Sequence, residues 1–318
     1  MKSNKRNKQQ KARKKAPSND SRQRIASLQR MQSSLSFFTT EHGRLYKNKL
    51  ESYSKLLKII FKMSLNQHGI DTSGRGLRAM RIFTRLTCLA ASLLDVLPLS
   101  NNGSRHSNSF CDLIAVASIS RGLIECFHYL IYFGVEKITE DEASLRYLIY
   151  QRHNNAEKYH CFWKMDSNPE YSEERFHESQ RISNDHISSN QFYLTLDSSK
   201  QKSLLRLKNE MYKTMHEYAK ENASLSRMPE DYRLLSNFTH PLGISIERID
   251  NVNGRGLLSP SDTTWLCLFI EIAERYISMS AKEITDFFSE RFVPLLGKEI
   301  EVLKLYYEKQ PEAESEQV

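Results

Sequence analysis

The scarcity of residues that end helices constrains this chain more than any other feature. Its 318 residues include only 11 glycines and 8 prolines. Turns and breaks depend on those two residues, so their rarity favours a few long elements, and therefore helices over many short strands. A chain of this length can also bury a substantial core.

The apolar spacing points the same way segment by segment. Thr40 precedes Glu41, and a helical pattern runs to about residue 67, with Leu50, Tyr53, Leu57, Ile60 and Phe61 read as one face. Gly69 then stops it, and residues 71–76 read as a loop. A second helix is predicted over 77–97, ending at Pro98, and a third over 110–133, ending at Gly134. A fourth starts after Thr139, where Glu140, Asp141 and Glu142 suit the positive helix N-terminus, and continues to about 165. Residues 166–197 are a polar insertion, read as a lid, a surface helix or a partly mobile segment. Further helices are predicted over 198–218, over a short span with Pro229 at its first position that holds Tyr232 to His240, from Ser259-Pro260 to about 291, and over 293–307. The reading is an all-α bundle forming one domain over 40–308. It is preceded by a basic tail (1–24) and a short helix or linker (25–39), and followed by an acidic end (309–318).

Charge is concentrated at one end. Residues 1–24 hold ten Lys or Arg, from Lys2 to Arg24, against Asp20 alone, so they carry +9 where the whole chain carries +8, and the remainder is left at −1. Such a segment has nothing apolar to bury and is expected to be disordered. It suits electrostatic contact with nucleic acid, RNA included, or serves only to keep the chain soluble. No apolar run comes after it as in a secretory signal. The five cysteines are scattered without a Cys-x-x-Cys pair, which reads as buried, reduced thiols in the cytoplasm rather than a zinc cage. The apolar stretch 110–133 contains Asp112, Arg121, Glu125 and His128, which argues for a core helix and against a membrane span.

Two helices carry polar residues at suggestive spacing. Arg121 and Glu125 are four apart and share a face. Tyr232, Ser236 and His240 form a stripe at intervals of four, and Arg233 and His240 are seven apart, nearly two full turns. Glu125 is placed to orient Arg121 or His240. A stripe of this kind meeting an Arg–Glu pair is also what a satisfied buried polar network looks like, with no chemistry attached.

The pairing of Ser120-Arg121-Gly122-Leu123-Ile124-Glu125 with Tyr232-Arg233-Leu234-Leu235-Ser236-Asn237-Phe238-Thr239-His240 resembles a widespread bacterial all-helical family of unknown function. That family shows an Arg-x3-Glu helix and, roughly a hundred residues later, a Tyr-x3-Ser-x3-His helix; the likeness covers about residues 75–290. More distantly, Arg233 and His240 resemble the Arg-x4–6-His motif of the HEPN superfamily. Leu234 departs from it, standing where the better-known pattern has a polar residue. The HEPN resemblance implies a homodimeric, metal-independent endoribonuclease of a stress or antiphage system, with no cofactor. Arg233 and His240 would be catalytic, and Arg121, Glu125, Tyr232 and Ser236 supporting. The alternative is a non-enzymatic interaction or regulatory module in which these residues are structural.

Other candidates carry less. His153 and His160 are seven apart with Cys161 next in the chain, but no third metal ligand has suitable spacing. Gly74-Arg75-Gly76 and Gly254-Arg255-Gly256 read as flexible basic turns, because neither has the strand-then-helix setting of a phosphate loop.

Overall fold

Side-chain caps set most of the helix starts. In a computed structural model, residues 40–98, 111–162, 172–206, 210–240, 258–288 and 297–307 are described. The basic tail, the 25–39 segment, Gly254-Arg255-Gly256 and residues 309–318 lie outside them. Thr40 accepts from the Gly43 amide and opens α1, Glu41–Leu65. Ser73 does the same for Gly76 and opens α2, Gly74–Val96, so Gly74-Arg75-Gly76 is the first turn of a helix and not the loop expected. Asp112 caps α3, Leu113–Leu130. Beyond it come α4, Glu140–Phe162; α5, Glu173–Ser188; α6, Gln191–Thr195; α7, Ser198–Leu204; α8, Met215–Glu221; α9, Met228–Thr239; α10, Pro260–Phe287; and α11, Gly297–Tyr307. No strand occurs among the described residues, and the fold is all-α.

Further expectations are corrected. The helix predicted over 198–218 is two helices, because Thr214 starts a fresh one with a reciprocal capping box to Glu217. Gly134 does not stop the third helix. Instead α3 runs on as a π-helical turn, Ile131–Val135, in which the Glu136 amide bonds the Ile131 carbonyl five residues back at 3.1 Å. Phe61 is 42% exposed, since it lies about 100° around the helix from Ile60, whereas Leu50, Tyr53, Leu57 and Ile60 are buried. The cysteines are also divided: Cys111 and Cys126 are buried, Cys88 and Cys161 are exposed, and none of the five forms a disulfide. Of the three readings of the polar insertion, its described part takes the form of a surface helix: α5 packs on α4 and exposes most of its own residues.

α3 sits at the centre, packed against α2, α9 and α10, while α1 closes on α2 and α10, and α11 lies on α10 and α1. Its length and composition would let Leu113–Val135 cross a bilayer; here its side chains form the middle of the bundle. The main core gathers Tyr53, Phe83, Leu123, Phe127, Phe238 and Phe269, among others, all at most 1% exposed. A second, smaller core of Leu145, Ile149, Ile187, Tyr193 and Leu204 holds α4 to α5, α6 and α7. Arg152 is 1% exposed and reinforces it by donating to Asn184 Oδ1 at 2.6 Å and to the Leu204 carbonyl.

Between the two cores lies a buried polar hub. Arg146 of α4 is 2% exposed; it donates to the Tyr132 carbonyl in the π turn at 2.7 Å and to Glu136 Oε2 at 2.6 Å, and it also reaches Glu142. Its guanidinium lies 4.3 Å from the centre of the Tyr132 ring. The Tyr218 hydroxyl donates to Glu136, the Tyr212 hydroxyl donates to Glu142, and Lys213 pairs with Glu136 at 3.0 Å. Burial works against the Glu136 charge, but Tyr218 and Arg146 outweigh it and hold its carboxyl below the usual range.

Candidate functional site

The two sequence motifs meet where α3 packs on α9. Arg121 Nε stands 3.3 Å from Glu125 Oε1, and the Tyr232 hydroxyl donates to that same oxygen at 3.1 Å. Arg121 also lies over the Tyr232 ring, 5.5 Å from its centre, and donates to Thr239 Oγ1 at 3.3 Å. Glu125 therefore orients Arg121, one of the two partners expected for it. The pair is at the edge of the bundle and not inside it, with side chains 29% and 38% exposed. Burial and then the nearby Glu125 charge push the Tyr232 hydroxyl above its ordinary pKa.

The remaining three residues are placed differently. The Ser236 hydroxyl bonds the Tyr232 carbonyl at 2.8 Å, so it serves its own helix. Arg233 is exposed on α9. His240 is exposed and is not the last residue of a helical stripe: the helix ends at Thr239, and His240 caps it in an extended conformation, φ −86° and ψ 135°. Arg121, Glu125 and Tyr232 thus form one cluster, while Arg233 and His240 face solvent close by in sequence.

α9 is fixed in place by a buried charge pair that sequence spacing does not single out. Asp231 Oδ2 accepts from Arg275 of α10 at 2.6 Å and from the Tyr276 hydroxyl at 2.9 Å, with Asp231 4% and Arg275 8% exposed. Pro229 occupies the first turn, where its missing amide costs nothing.

Beside the cluster opens a cavity of about 540 Å³, lined by Glu125, Tyr129 and Tyr232 and by residues distant from them in sequence, among them His153, Glu210 and Lys213. The Tyr129 hydroxyl donates to Glu210 Oε1, and His153 Nε2 lies 3.9 Å from Glu210 Oε2. His128, on the same cavity, is 3% exposed. Burial pushes its pKa down to about 4, a bond to the Lys213 backbone opposing the shift, and its Nε2 is buried without a hydrogen-bond partner. Between 6.5, its ordinary value, and about 4, the unfolded chain takes up a proton that the folded His128 refuses. The His128 contribution to stability is therefore full above that window and is lost as pH falls through it. Comparing urea unfolding of the wild type and His128→Gln from pH 7 to 4.5 should show a shallower decline in the variant; parallel curves would refute the assignment.

His160 rests against Tyr159 and Phe176 and is exposed, so it does not join His153. Among the described residues no group of three or more His, Cys, Asp or Glu is placed to hold a metal. Arg75 donates to the Glu136 carbonyl and lies 5.9 Å from the Phe287 ring centre. It is thus part of the packing between α2, the π turn and α10. No protein-family model, curated protein or solved structure matches the chain. The fold and site together define an all-α protein with a polar junction between α3 and α9 and an adjoining cavity.

Proposed function

We propose that this protein is an endoribonuclease that needs no metal ion, acting in a stress or antiphage response. The observation that supports it best is that Arg233, midway along α9, and His240, just past its end, are both exposed. The +9 charge of residues 1–24 adds affinity for a polyanion. In this reading His240 removes the proton from a ribose 2′-hydroxyl as its oxygen attacks phosphorus. Arg233 stabilises the charge that builds on the phosphoryl oxygens. The 5′-oxygen leaves and takes a proton from the His240 of a second copy, so the products are a 2′,3′-cyclic phosphate and a 5′-hydroxyl. Arg121, held by Glu125, Tyr232 and Thr239, buttresses the face that carries them. The role in defence rests on the family resemblance alone.

One observation favours the alternative, a regulatory or interaction module: without a ligand, Glu125 already pairs with the Arg121 charge and accepts the Tyr232 hydroxyl. Incubating the purified protein with RNA in EDTA separates the two. The ribonuclease reading expects 2′,3′-cyclic phosphate ends, and His240→Ala and Arg233→Ala should each lower the rate by about 100-fold or more. Intact RNA, both in vitro and in phage-challenged cells expressing the protein, would leave the module.

A further inference from the structure

We infer that the cavity beside the α3–α9 junction receives a guanine base, an inference that rests on RNA being the substrate. Two carboxylates stand in its polar lining, beside His153, Thr214 and His216. Glu125 spends Oε1 on Arg121 and Tyr232, and Glu210 spends Oε1 on Tyr129. The second oxygen of each carries no hydrogen bond among the described residues, and His153 Nε2 lies 3.9 Å from that of Glu210. His128, only 3% exposed, lines the same cavity with its ring bonded to the Lys213 backbone. Lys213, the one lysine on the cavity among the described residues, is engaged by Glu136 at 3.0 Å and by Glu221.

A cavity that offers acceptors and withholds its ammonium selects a ligand rich in donors. The Tyr129 and Tyr232 rings supply flat apolar surface of the kind on which unstacked bases rest. Of the four RNA bases only guanine sets two kinds of donor, N1–H and the N2 amino group, side by side on one edge. A carboxylate can take both in parallel, as it takes the two donors of an arginine fork. Adenine and cytosine place a ring acceptor next to their amino group, which would face the carboxylate lone pairs, and uracil flanks its single N–H with carbonyls. A wrong base is rejected through the groups it leaves unpaired.

The full-length protein, in EDTA, can be titrated calorimetrically with each of the four nucleoside 5′-monophosphates. GMP should bind at least about tenfold more tightly than AMP, CMP or UMP, and Glu210→Gln should weaken GMP at least about tenfold. The selectivity among nucleotides is read on the wild type, so it stands even where the variant folds poorly. Absence of GMP binding at millimolar concentration, equal binding of all four, or methylguanidinium binding as tightly as GMP would overturn the inference. GMP selectivity with no RNA cleavage would sink the ribonuclease and spare the cavity; cleavage with no GMP binding would do the reverse.

Discussion

Arg146→Ala lowers the unfolding free energy by about 3–5 kcal/mol, the range for breaking a buried pair by removing one partner. The loss does not come from the missing attraction alone. Glu136 and Glu142 would remain, each facing a tyrosine hydroxyl, with their guanidinium gone and only Lys213 left on Glu136. The Tyr132 carbonyl would lose its partner too. Arg146→Lys should recover part of the loss, because an ammonium keeps the charge but cannot reach both carboxylates and the carbonyl in the fork geometry. As a contrast, Lys47→Ala removes a pair whose side chains are 60% and 58% exposed and should change stability by less than about 1 kcal/mol. Urea unfolding monitored by far-UV circular dichroism measures all three. An Arg146→Ala loss no larger than that of Lys47→Ala would mean that the hub is open to water.

Asp231→Ala should cost a similar amount, about 3–5 kcal/mol, for the opposite charge. Arg275 would be left 8% exposed with Glu271 as its remaining carboxylate neighbour, 3.7 Å away and half exposed itself. The Tyr276 hydroxyl would lose its acceptor. Asp231→Asn keeps an acceptor without the charge, so it should fall between wild type and alanine. Because Asp231 anchors α9, the loss should also appear locally, as faster amide exchange over Met228–Thr239 than over α3. Uniform acceleration across both helices would instead indicate that α9 opens only with the whole bundle.

Sequence patterns exposed the architecture well because helices announce themselves locally. Thr40 and Ser259 are caps, Pro260 is a first-turn proline, and the apolar spacing of Leu50, Tyr53, Leu57 and Ile60 is a buried face. The Arg121–Glu125 pair was legible for the same reason, being one turn apart. The Thr214 capping box was readable in principle, since Thr-x-x-Glu stands in the sequence, but an unbroken helical pattern masked it. The hub and the cavity were not legible. Arg146 lies on a helix with scarcely any amphipathic pattern, and its partners at 132, 136, 212 and 218 become neighbours only once α4 and α8 pack. His128 reads as one polar residue in an apolar helix; nothing near it in sequence forecasts that Lys213 would be its partner.

The π turn after α3 has a consequence for how this chain can change. An ordinary helix advances about 100° per residue, so the bulge at Ile131–Val135 acts as a phase shift between the residues on its two sides. Upstream lie Arg121, Glu125 and His128; downstream lies Glu136, on which Arg146, Lys213 and Tyr218 converge. Deleting one residue there would restore regular pitch and leave Glu136 close to its present direction, because the i→i+5 bonding spreads one extra residue over nearly the same rotation. The turn is therefore a store of slack in the chain: one residue of length between Glu125 and Glu136 is taken up locally, and the side chains on either side keep their faces.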